Sequence, residues 1–337
     1  MSKVAAFGEV MMRLEVPRYA TLSQSDQLTY SFSGTGVNVG SALTRYGHHS
    51  QMVTVLPSNP LGDAAVAYLR RLGLSTDYVA RGGKYVGSYF LEHGFGARPS
   101  RVTYTDRWGS SFNTATFDAA SFAQVASDID ALHLCGITLA MNDNVRAAMK
   151  ELAAAVKAAG GTVIFDCNYR PSLWGEDGYK LARPHYEELL QLADLVFMNE
   201  KDALHVLGMS THKEDRAEQL EELIPLVAEK YKLKAAAGTH RTINTDHTHT
   251  LRGYLYKEGQ FYYSHPLTFA VYDRVGAGDA YASGIIHGEL TEAEPAHAVE
   301  FAAYAAMLAH TVAGDTPLAT EQEVLDAMKI STRDVSR

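Results

Sequence analysis

The sequence predicts an α/β fold with a mostly parallel central sheet and helices on both of its faces. From residue 130 onward, short apolar segments alternate with longer helical segments over about 200 residues, as in parallel strands joined by crossover helices. Hydrophobic residues make up 46% of the chain and charged residues 20%, so a large buried core is expected. Together, the alternation and the composition favour one layered α/β unit.

The first elements of this fold are short and end at glycines. Four elements are predicted before residue 75, as strands at 4–7 and 51–56 and helices at 37–46 and 63–72. Gly47 and Gly73 directly follow the two helices. Glycine is the usual residue at this position because it takes up left-handed torsions at no steric cost.

A second, smaller sheet is predicted from strands within segments 10–35 and 85–110. Within the latter, residues 85–92 and 101–106 alternate polar with aromatic or aliphatic side chains. Such alternation suits an exposed antiparallel pair. This piece is expected to project from the main sheet.

The second half of the chain supplies most of the main sheet. Further elements are predicted as strands at 131–134, 162–166 and 195–198 and helices at 144–159, 220–231 and 299–309. Polar residues follow two of these strands: Asp166 and Asn168 after one, Asn199 and Glu200 after the other. Ligands of parallel sheets bind at the carboxyl ends of the strands, so these side chains are expected to line a cleft.

Charge and cysteine content exclude several classes of protein. The net charge of −9 argues against a nucleic-acid partner, because phosphate backbones require a basic surface. Cys135 and Cys167 are too few for a disulfide framework or a four-cysteine zinc site, so both are expected as reduced core thiols. The sequence shows no signal-peptide pattern and no apolar run of about 18 residues, so no membrane association and a cytoplasmic location are expected.

The strongest functional signal is the segment 273–279, which reads Asp-Arg-Val-Gly-Ala-Gly-Asp. Gly276, Ala277 and Gly278 let the backbone approach a ligand closely, and a helical run begins directly after them. A helix N-terminus offers unpaired N–H groups and a partial positive charge, which suits a phosphate. Asp279 would repel a phosphate, so it is better suited as the base for a hydroxyl that attacks one. Taken alone, the segment also fits a glycine-rich turn capped by an acid.

This segment resembles the C-terminal signature of the ribokinase/PfkB family of carbohydrate kinases. Arg274 stands where the family usually has threonine or another small residue. A second cluster, 33–40, resembles the family's N-terminal signature, in which the residues that match Gly34 and Asn38 contact sugar hydroxyls. The cluster does not fit a dinucleotide fingerprint, because its third glycine is displaced by one position and no acid follows the next strand.

The resemblance implies a ribokinase-like fold in which residues 1–337 form a single kinase domain and the small sheet is a lid over the sugar. It implies ATP and Mg²⁺, with Asp279 as the catalytic base. The backbone at Gly276, Ala277 and Gly278 then forms the anion hole. Because lids in this family often pair between subunits, it also implies a homo-oligomer formed through the lid.

Substrate residues are implied by a narrower resemblance. Segment 167–174 is similar to the Asn-Tyr-Arg-Pro-x-Leu-Trp run typical of the 2-keto-3-deoxygluconate kinases in this family. In that subgroup, the matching tyrosines and arginines hold a keto acid and its carboxylate; they correspond here to Tyr89, Tyr104, Arg107 and Arg170. Arginine suits this role because its planar fork binds a carboxylate with two parallel hydrogen bonds.

Two single positions add to this interpretation. Asp315, which follows the last predicted helix in a Gly-Asp pair, matches an acid that reaches the sugar in the subgroup. Arg13 stands where kinases of neutral sugars in the family often have aspartate. This weakens a fructokinase interpretation.

The nucleotide and metal residues are implied in the same way. The residues that match nucleotide contacts are Asn168, Thr239, Arg241, Gly276 and Gly278. Asn199, Glu200 and Asp202 resemble the family's Asn-x-x-Glu motif, which orders water around Mg²⁺, with the shorter Asp202 in place of glutamate. The polar tract nearby is predicted to be a flexible loop, and its three histidines are expected to be solvated: His240, His247 and His249.

These observations predict ATP-dependent phosphorylation of the primary hydroxyl of a sugar acid, converting 2-keto-3-deoxygluconate into 2-keto-3-deoxy-6-phosphogluconate. The partners are then a small sugar acid and ATP. Fructose and 2-keto-3-deoxygalactonate are the alternative substrates. The alternative that is not an enzyme is a catalytically inactive sugar-binding protein, because Arg274 and Asp202 depart from the family pattern.

Overall fold

The structure is a computed structural model that describes residues 1–329, so the end of the predicted domain, 330–337, lies outside the described residues. The strands are β1 (Lys3–Phe7), β2 (Met11–Glu15), β3 (Thr29–Ser33), β4 (His49–Leu56), β5 (Val79–Arg81), β6 (Ser88–Glu92), β7 (Arg101–Tyr104), β8 (Ala131–Cys135), β9 (Thr162–Asp166), β10 (Leu195–Phe197), β11 (Ala235–Ile243), β12 (His249–Lys257), β13 (Gln260–Tyr263) and β14 (Leu267–Phe269). The helices are α1 (Thr35–Arg45), α2 (Pro60–Arg71), α3 (Ala119–Asp128), α4 (Gly136–Leu139), α5 (Asp143–Ala158), α6 (Pro171–Trp174), α7 (Gly178–Leu190), α8 (Arg216–Tyr231), α9 (Ala277–Leu290), α10 (Pro295–Ala309) and α11 (Glu321–Lys329). A π-helical turn, Asp202–Val206, follows β10.

The main sheet confirms the predicted parallel architecture. Its strand order is β13-β12-β11-β10-β9-β8-β1-β4-β5, with β14 also paired to β12. All neighbours from β11 to β5 are parallel, and the strands beyond β11 are antiparallel. The carboxyl ends of seven parallel strands therefore meet at one edge of the sheet, where a ligand site is expected.

Helices cover both faces of this sheet, as predicted. One hydrophobic cluster packs α3, α5, α7 and α8 against one face, and a second packs α1, α9, α10 and α11 against the other. The first cluster buries apolar stripes of amphipathic helices, whereas α9 and α10 in the second are apolar on most sides. Burial of apolar surface is the main favourable term in such a layered fold.

The smaller sheet has the order β3-β2-β6-β7. The β6–β7 pair is antiparallel, as predicted, but β2 and β6 are parallel because the chain crosses through α1, β4 and α2 between them. The expectation that 85–92 is exposed was wrong in part: Tyr89, Leu91 and Glu92 are buried in β6, whereas β7 is exposed throughout. One face of β6 packs on the main domain, and this fixes the lid above the sheet edge.

One prediction of local structure was wrong. The polar tract that contains three histidines is predicted to be a flexible loop, but it lies in the β11–β12 hairpin. The nine residue pairs of this hairpin run from Ala235↔Lys257 to Ile243↔His249. Cross-strand pairing and packing decide strand formation more than composition does, so polar threonines and histidines did not prevent it. Within residues 1–329, no helix is long and apolar enough to cross a membrane.

Candidate active site

A single cleft of about 720 Å³ gathers the predicted site residues at the carboxyl edge of the main sheet, under the lid. This volume is in the range of small-molecule sites. All predicted site residues except Glu200 line it: Gly34, Asn38, Tyr89, Tyr104, Arg107, Asn168, Arg170, Asn199, Asp202, Thr239, Arg241, Gly276, Ala277, Gly278, Asp279 and Asp315. The fold therefore joins segments from the whole chain into one site.

Asp279 lies in the first turn of α9, and its carboxylate is held by α1. The side-chain amide of Asn38 donates to Oδ2 of Asp279 at 2.7 Å, and Thr316 Oγ1 donates to Oδ1 of Asn38 at 3.3 Å. Asn38 therefore orients the carboxylate of Asp279. The expected contact of Asn38 with sugar hydroxyls stays a prediction, because Asn38 lines the cleft and its amide nitrogen keeps a second N–H.

The surroundings of Asp279 favour a basic carboxylate. Asp279 is only 8% exposed, and this burial raises the pKa of its carboxyl group to about 8. The hydrogen bond from Asn38 opposes this rise, while the neighbouring charges of Asp166 and Asp315 add to it. A pKa near the working pH is what general-base catalysis requires.

The segment before α9 has the geometry of an anion hole. Gly276 has φ +80°, and a Cβ there would lie 1.7 Å from the carbonyl oxygen of Asp315, so no other residue fits. A Cβ at Gly278 would meet no atom within 4 Å, because this residue faces the open cleft. No side chain caps the N-terminus of α9, which leaves its first N–H groups free for an anion.

At the lid side of the cleft, Arg107 is held by a glutamate that the sequence analysis did not select. Arg107 is 5% exposed, and its Nε lies 2.6 Å from Oε2 of Glu9, itself 7% exposed. The Arg107 guanidinium lies 5.4 Å from the ring centroid of Tyr104. Glu9 lies two residues after β1, so the same strand-end rule that selected Asn168 would have found it.

Tyr89 and Asp315 meet beside this pair. The Tyr89 hydroxyl lies 2.9 Å from Ser33 Oγ and donates to Oδ2 of Asp315 at 3.3 Å. Gly34 has φ +149°, and a Cβ there would lie 2.5 Å from the carbonyl oxygen of Glu9. The backbone of the N-terminal signature therefore packs closely on the backbone of Glu9, between β1 and β2.

Arg170 lies nearer to the acids at the centre of the cleft. Burial raises the pKa of Asp166 to about 7 and that of Asp202 to about 6, and the charge of Arg170 opposes both rises. Arg170 has the same effect on the pKa of Asp279. The charge of its exposed side chain therefore acts on the same part of the cleft as Asp279.

The predicted metal residues do not all face the cleft. Glu200 is fully buried, with Oε1 2.6 Å from Arg216 Nε and Oε2 2.8 Å from His240 Nε2. Both of its oxygens are occupied away from the cleft, so the expectation that Glu200 takes part in metal binding is corrected. Asn199 and Asp202 do line the cleft, and Asp202 Oδ2 accepts the N–H of Asn199 at 2.8 Å.

The histidine prediction is corrected for two of the three residues. His240 is half-buried in its contact with Glu200, and His249 is 7% exposed with Nδ1 3.0 Å from Nη1 of Arg241. His247 is exposed in the hairpin turn. Among residues 1–329, no group of three or more His, Cys, Asp or Glu side chains has the arrangement of a metal site.

The chain matches the model of the pfkB family of carbohydrate kinases over residues 1–322. It belongs to the PfkB family. A 2-dehydro-3-deoxygalactonokinase from Haloferax volcanii is 29% identical over 96% of this chain and 95% of its own length. The resemblance inferred from the two signatures is therefore confirmed.

Solved structures agree with this assignment. The 2-dehydro-3-deoxygluconokinase of Thermotoga maritima has a TM-score of 0.91 and 32% identity, covering 97% of this chain and 98% of that one. An Enterococcus faecalis protein, provisionally assigned as a 2-keto-3-deoxygluconate kinase, has a TM-score of 0.95 and 37% identity, covering 100% and 99% of the two chains. "Dehydro" and "keto" name the same group in these compounds.

Arg274, where this PfkB kinase departs from the family signature, lines the cleft with an exposed side chain. Burial lowers the pKa of Arg241, and the charge of Arg274 lowers it further, so the two guanidinium groups lie at the same end of the cleft. Among the described residues, neither forms an ion pair with a carboxylate. The departure adds positive charge where a nucleotide phosphate is expected.

Proposed function

We propose that this PfkB kinase transfers the γ-phosphoryl group of ATP to the primary hydroxyl of 2-keto-3-deoxygluconate, giving 2-keto-3-deoxy-6-phosphogluconate. The observation that carries the proposal is a buried guanidinium, Arg107, in the same cleft as the Asp279 base and the anion hole. A substrate that reaches from Arg107 to Asp279 needs a carboxylate at one end and a hydroxyl at the other. A six-carbon keto acid has both.

Asp279 has the position and the pKa of the base. It accepts the proton of the primary hydroxyl, and the resulting oxygen attacks the γ-phosphorus in line, while the bond from this phosphorus to the β–γ bridging oxygen breaks and ADP leaves. The Asn38 hydrogen bond holds the carboxylate in one orientation during this step. The free N–H groups of Ala277, Gly278 and Asp279 stabilise charge that develops on the phosphoryl oxygens.

The residues present fit ATP and Mg²⁺. The glycine backbone at 276–278 accommodates phosphates, and Arg241 and Arg274 add cations at the same end of the cleft. Asn199 and Asp202 line the cleft and offer the oxygen ligands that a hydrated Mg²⁺ prefers. When bound, Mg²⁺ would offset the negative charge of the phosphates.

The carboxylate of the sugar acid is assigned to Arg107. Its Nε is committed to Glu9, which leaves the Nη edge of the guanidinium for a ligand. A buried arginine that is fixed in this way binds a carboxylate with little loss of side-chain entropy. A neutral sugar would leave this edge unpaired, which makes fructose a poorer substrate.

The epimer 2-keto-3-deoxygalactonate is the second candidate substrate. It carries the same carboxylate and primary hydroxyl, and the Haloferax volcanii relative is named for it. An inactive binding protein is disfavoured by the Asn38–Asp279 hydrogen bond, since a binder gains nothing from an oriented base with a raised pKa.

The test is ADP formation by the wild-type protein with Mg²⁺ and ATP, comparing the two keto acids, fructose and no sugar. We expect turnover with the keto acids and a background rate with fructose. Arg107→Lys should raise KM for the keto acid on the order of tenfold or more, because lysine cannot form the paired hydrogen bonds. Arg101→Lys is the matched control, since Arg101 is an exposed lid arginine outside the cleft.

Faster turnover with fructose than with the keto acids would refute the proposal that the substrate is a keto acid. Equal KM values for Arg107→Lys and Arg101→Lys would overturn the assignment of the carboxylate to Arg107.

The proposal extends to assembly and location. The lid exposes apolar side chains, Tyr30 at 63% and Val102 at 45%, which supports a homo-oligomer formed through the lid. Light scattering of the wild type and of Tyr30→Glu would test this, and the mass of a monomer for both proteins would refute it.

A cytoplasmic site of action is supported by two free, buried cysteines, Cys135 and Cys167.

A further inference from the structure

Arg13, in strand β2 of the lid, carries a charge but is only 1% exposed. Its Nε and Nη2 donate to Oε2 of Glu15 on the same strand, at 2.9 and 2.6 Å. The same guanidinium also contacts two acids outside the lid. Its Nη2 lies 3.4 Å from Oδ2 of Asp273, and its Nη1 lies 3.3 Å from Oδ1 of Asp315. Because an unpaired buried charge is costly, these acids hold the guanidinium in place.

Asp273 and Asp315 both contact the backbone of the segment that forms the anion hole. Asp273 Oδ1 accepts the N–H groups of the next two residues at 2.7 and 3.1 Å, and its Oδ2 accepts the N–H of Gly314 at 3.3 Å. The carbonyl of Asp315 packs so closely on Gly276 that a Cβ there would lie 1.7 Å from its oxygen. Both residues that Arg13 holds thus fix the backbone beside the anion hole.

Other lid residues contact Asp273 and Asp315 as well. Arg13 pairs with Tyr89 across β2 and β6, and the Tyr89 hydroxyl donates to Oδ2 of Asp315 at 3.3 Å. His93, which follows β6, has its Nδ1 3.9 Å from Oδ2 of Asp273. Two lid strands therefore converge on the two acids, and Arg13 is the group that contacts both acids and the lid glutamate.

We propose that Arg13 is a positioning residue that connects the lid to the anion hole. It sets the position of Asp273 and Asp315 together, so the backbone from 274 to 278 takes its phosphoryl-binding shape only when the lid strand is in place. Arg13 does not line the cleft, so its effect passes through the two acids. The proposal rests on the proposed function in one respect, since it takes the segment before α9 as the phosphoryl site.

The test compares Arg13→Met, Arg13→Lys and the control Arg101→Met in the full-length protein. Affinity is measured for MgADP alone and for MgADP with aluminium fluoride, which mimics the phosphoryl group in transfer. We expect Arg13→Met to weaken binding of the aluminium fluoride complex on the order of tenfold or more, with less than about threefold change for MgADP. Arg13→Lys should recover part of the loss, because an ammonium group keeps the charge but does not reproduce the planar fork of the guanidinium.

Two further measurements separate positioning from stability. The kcat for the sugar acid should fall with the aluminium fluoride affinity, and Asp273→Asn should give a similar loss that does not add to that of Arg13→Met. If Arg13→Met does not fold, Arg13→Lys and Asp273→Asn carry the comparison. Equal weakening of both nucleotide complexes, or a loss of stability with unchanged kcat, would overturn the proposal.

A wild type that phosphorylates no sugar acid would refute the proposed function. The aluminium fluoride comparison would still decide the role of Arg13.

Discussion

Replacing Asp279 with asparagine should strongly reduce turnover and at the same time stabilise the fold. Burial raises the pKa of Asp279 from 3.8 to about 8. The unfolded chain loses this proton near its ordinary pKa, whereas the folded protein keeps it. The stability that depends on Asp279 is therefore lost progressively as the pH rises from about 4 to about 8. Asparagine keeps an oxygen for the Asn38 amide and never ionises.

The size of the effect follows from the pKa difference. Each pKa unit corresponds to about 1.4 kcal/mol. The free energy of unfolding of Asp279→Asn should therefore exceed that of the wild type by about 3 kcal/mol at pH 6 and about 5 kcal/mol at pH 8, with almost no difference at pH 4. Turnover should fall by a factor on the order of 10² to 10⁴, since the base is lost.

Urea unfolding of both proteins at pH 4, 6 and 8, without nucleotide or Mg²⁺, measures the effect. The matched control is Asp194→Asn. Asp194 is also buried, but the ion pair with Lys157 and the N–H of Val163 overcome the effect of burial and hold its pKa below the ordinary value. Asp194→Asn should therefore lose stability at neutral pH. A stability difference for Asp279→Asn that does not change with pH would refute the reasoning.

Three further substitutions test other parts of the site and core. Asn38→Ala removes the hydrogen-bond donor that lowers the pKa of Asp279. In a pH–rate profile, the rise of kcat/KM with pH should therefore shift to higher pH, and kcat should fall about tenfold. His133 is fully buried with neither ring nitrogen hydrogen-bonded, and burial lowers its pKa to about 4, so the wild type loses stability as the pH falls from 6.5 to 4. His133→Leu should remove that loss and add about 1–3 kcal/mol in urea unfolding at pH 5. Arg274→Thr should raise KM for ATP several-fold and leave KM for the sugar acid unchanged, in steady-state assays at saturating cosubstrate.

Local patterns predicted the parts of the fold that depend on neighbouring residues. The strand Thr162–Asp166 has the predicted limits because an uninterrupted apolar run is bounded by Gly161 and by polar residues. The helix that ends near residue 46 was predicted from Gly47, whose φ is +86°. The segment 276–279 was predicted as a helix N-terminus from its small residues, and α9 begins at Ala277.

The contacts that orient the site could not be predicted in this way. Asn38 and Asp279 are 241 positions apart, and each alone has an ordinary explanation, as a cap or as an acid in a first helical turn. Glu200 and Asp202 are adjacent to the same strand end, but only the fold shows that Glu200 turns toward Arg216. Arg13 was judged by comparison with neutral-sugar kinases, whereas its burial among three acids depends on how the lid docks.

The measurement that tests the central claim most directly is identification of the product by ³¹P–¹H correlation NMR. The wild type and Asp279→Asn would be incubated with 2-keto-3-deoxygluconate, ATP and Mg²⁺. The account predicts one phosphate ester coupled to the C6 methylene protons in the wild-type reaction, and formation of this ester slower by a factor on the order of 10² to 10⁴ with Asp279→Asn. A phosphate on another hydroxyl, or the same product formed at a comparable rate by Asp279→Asn, would contradict it.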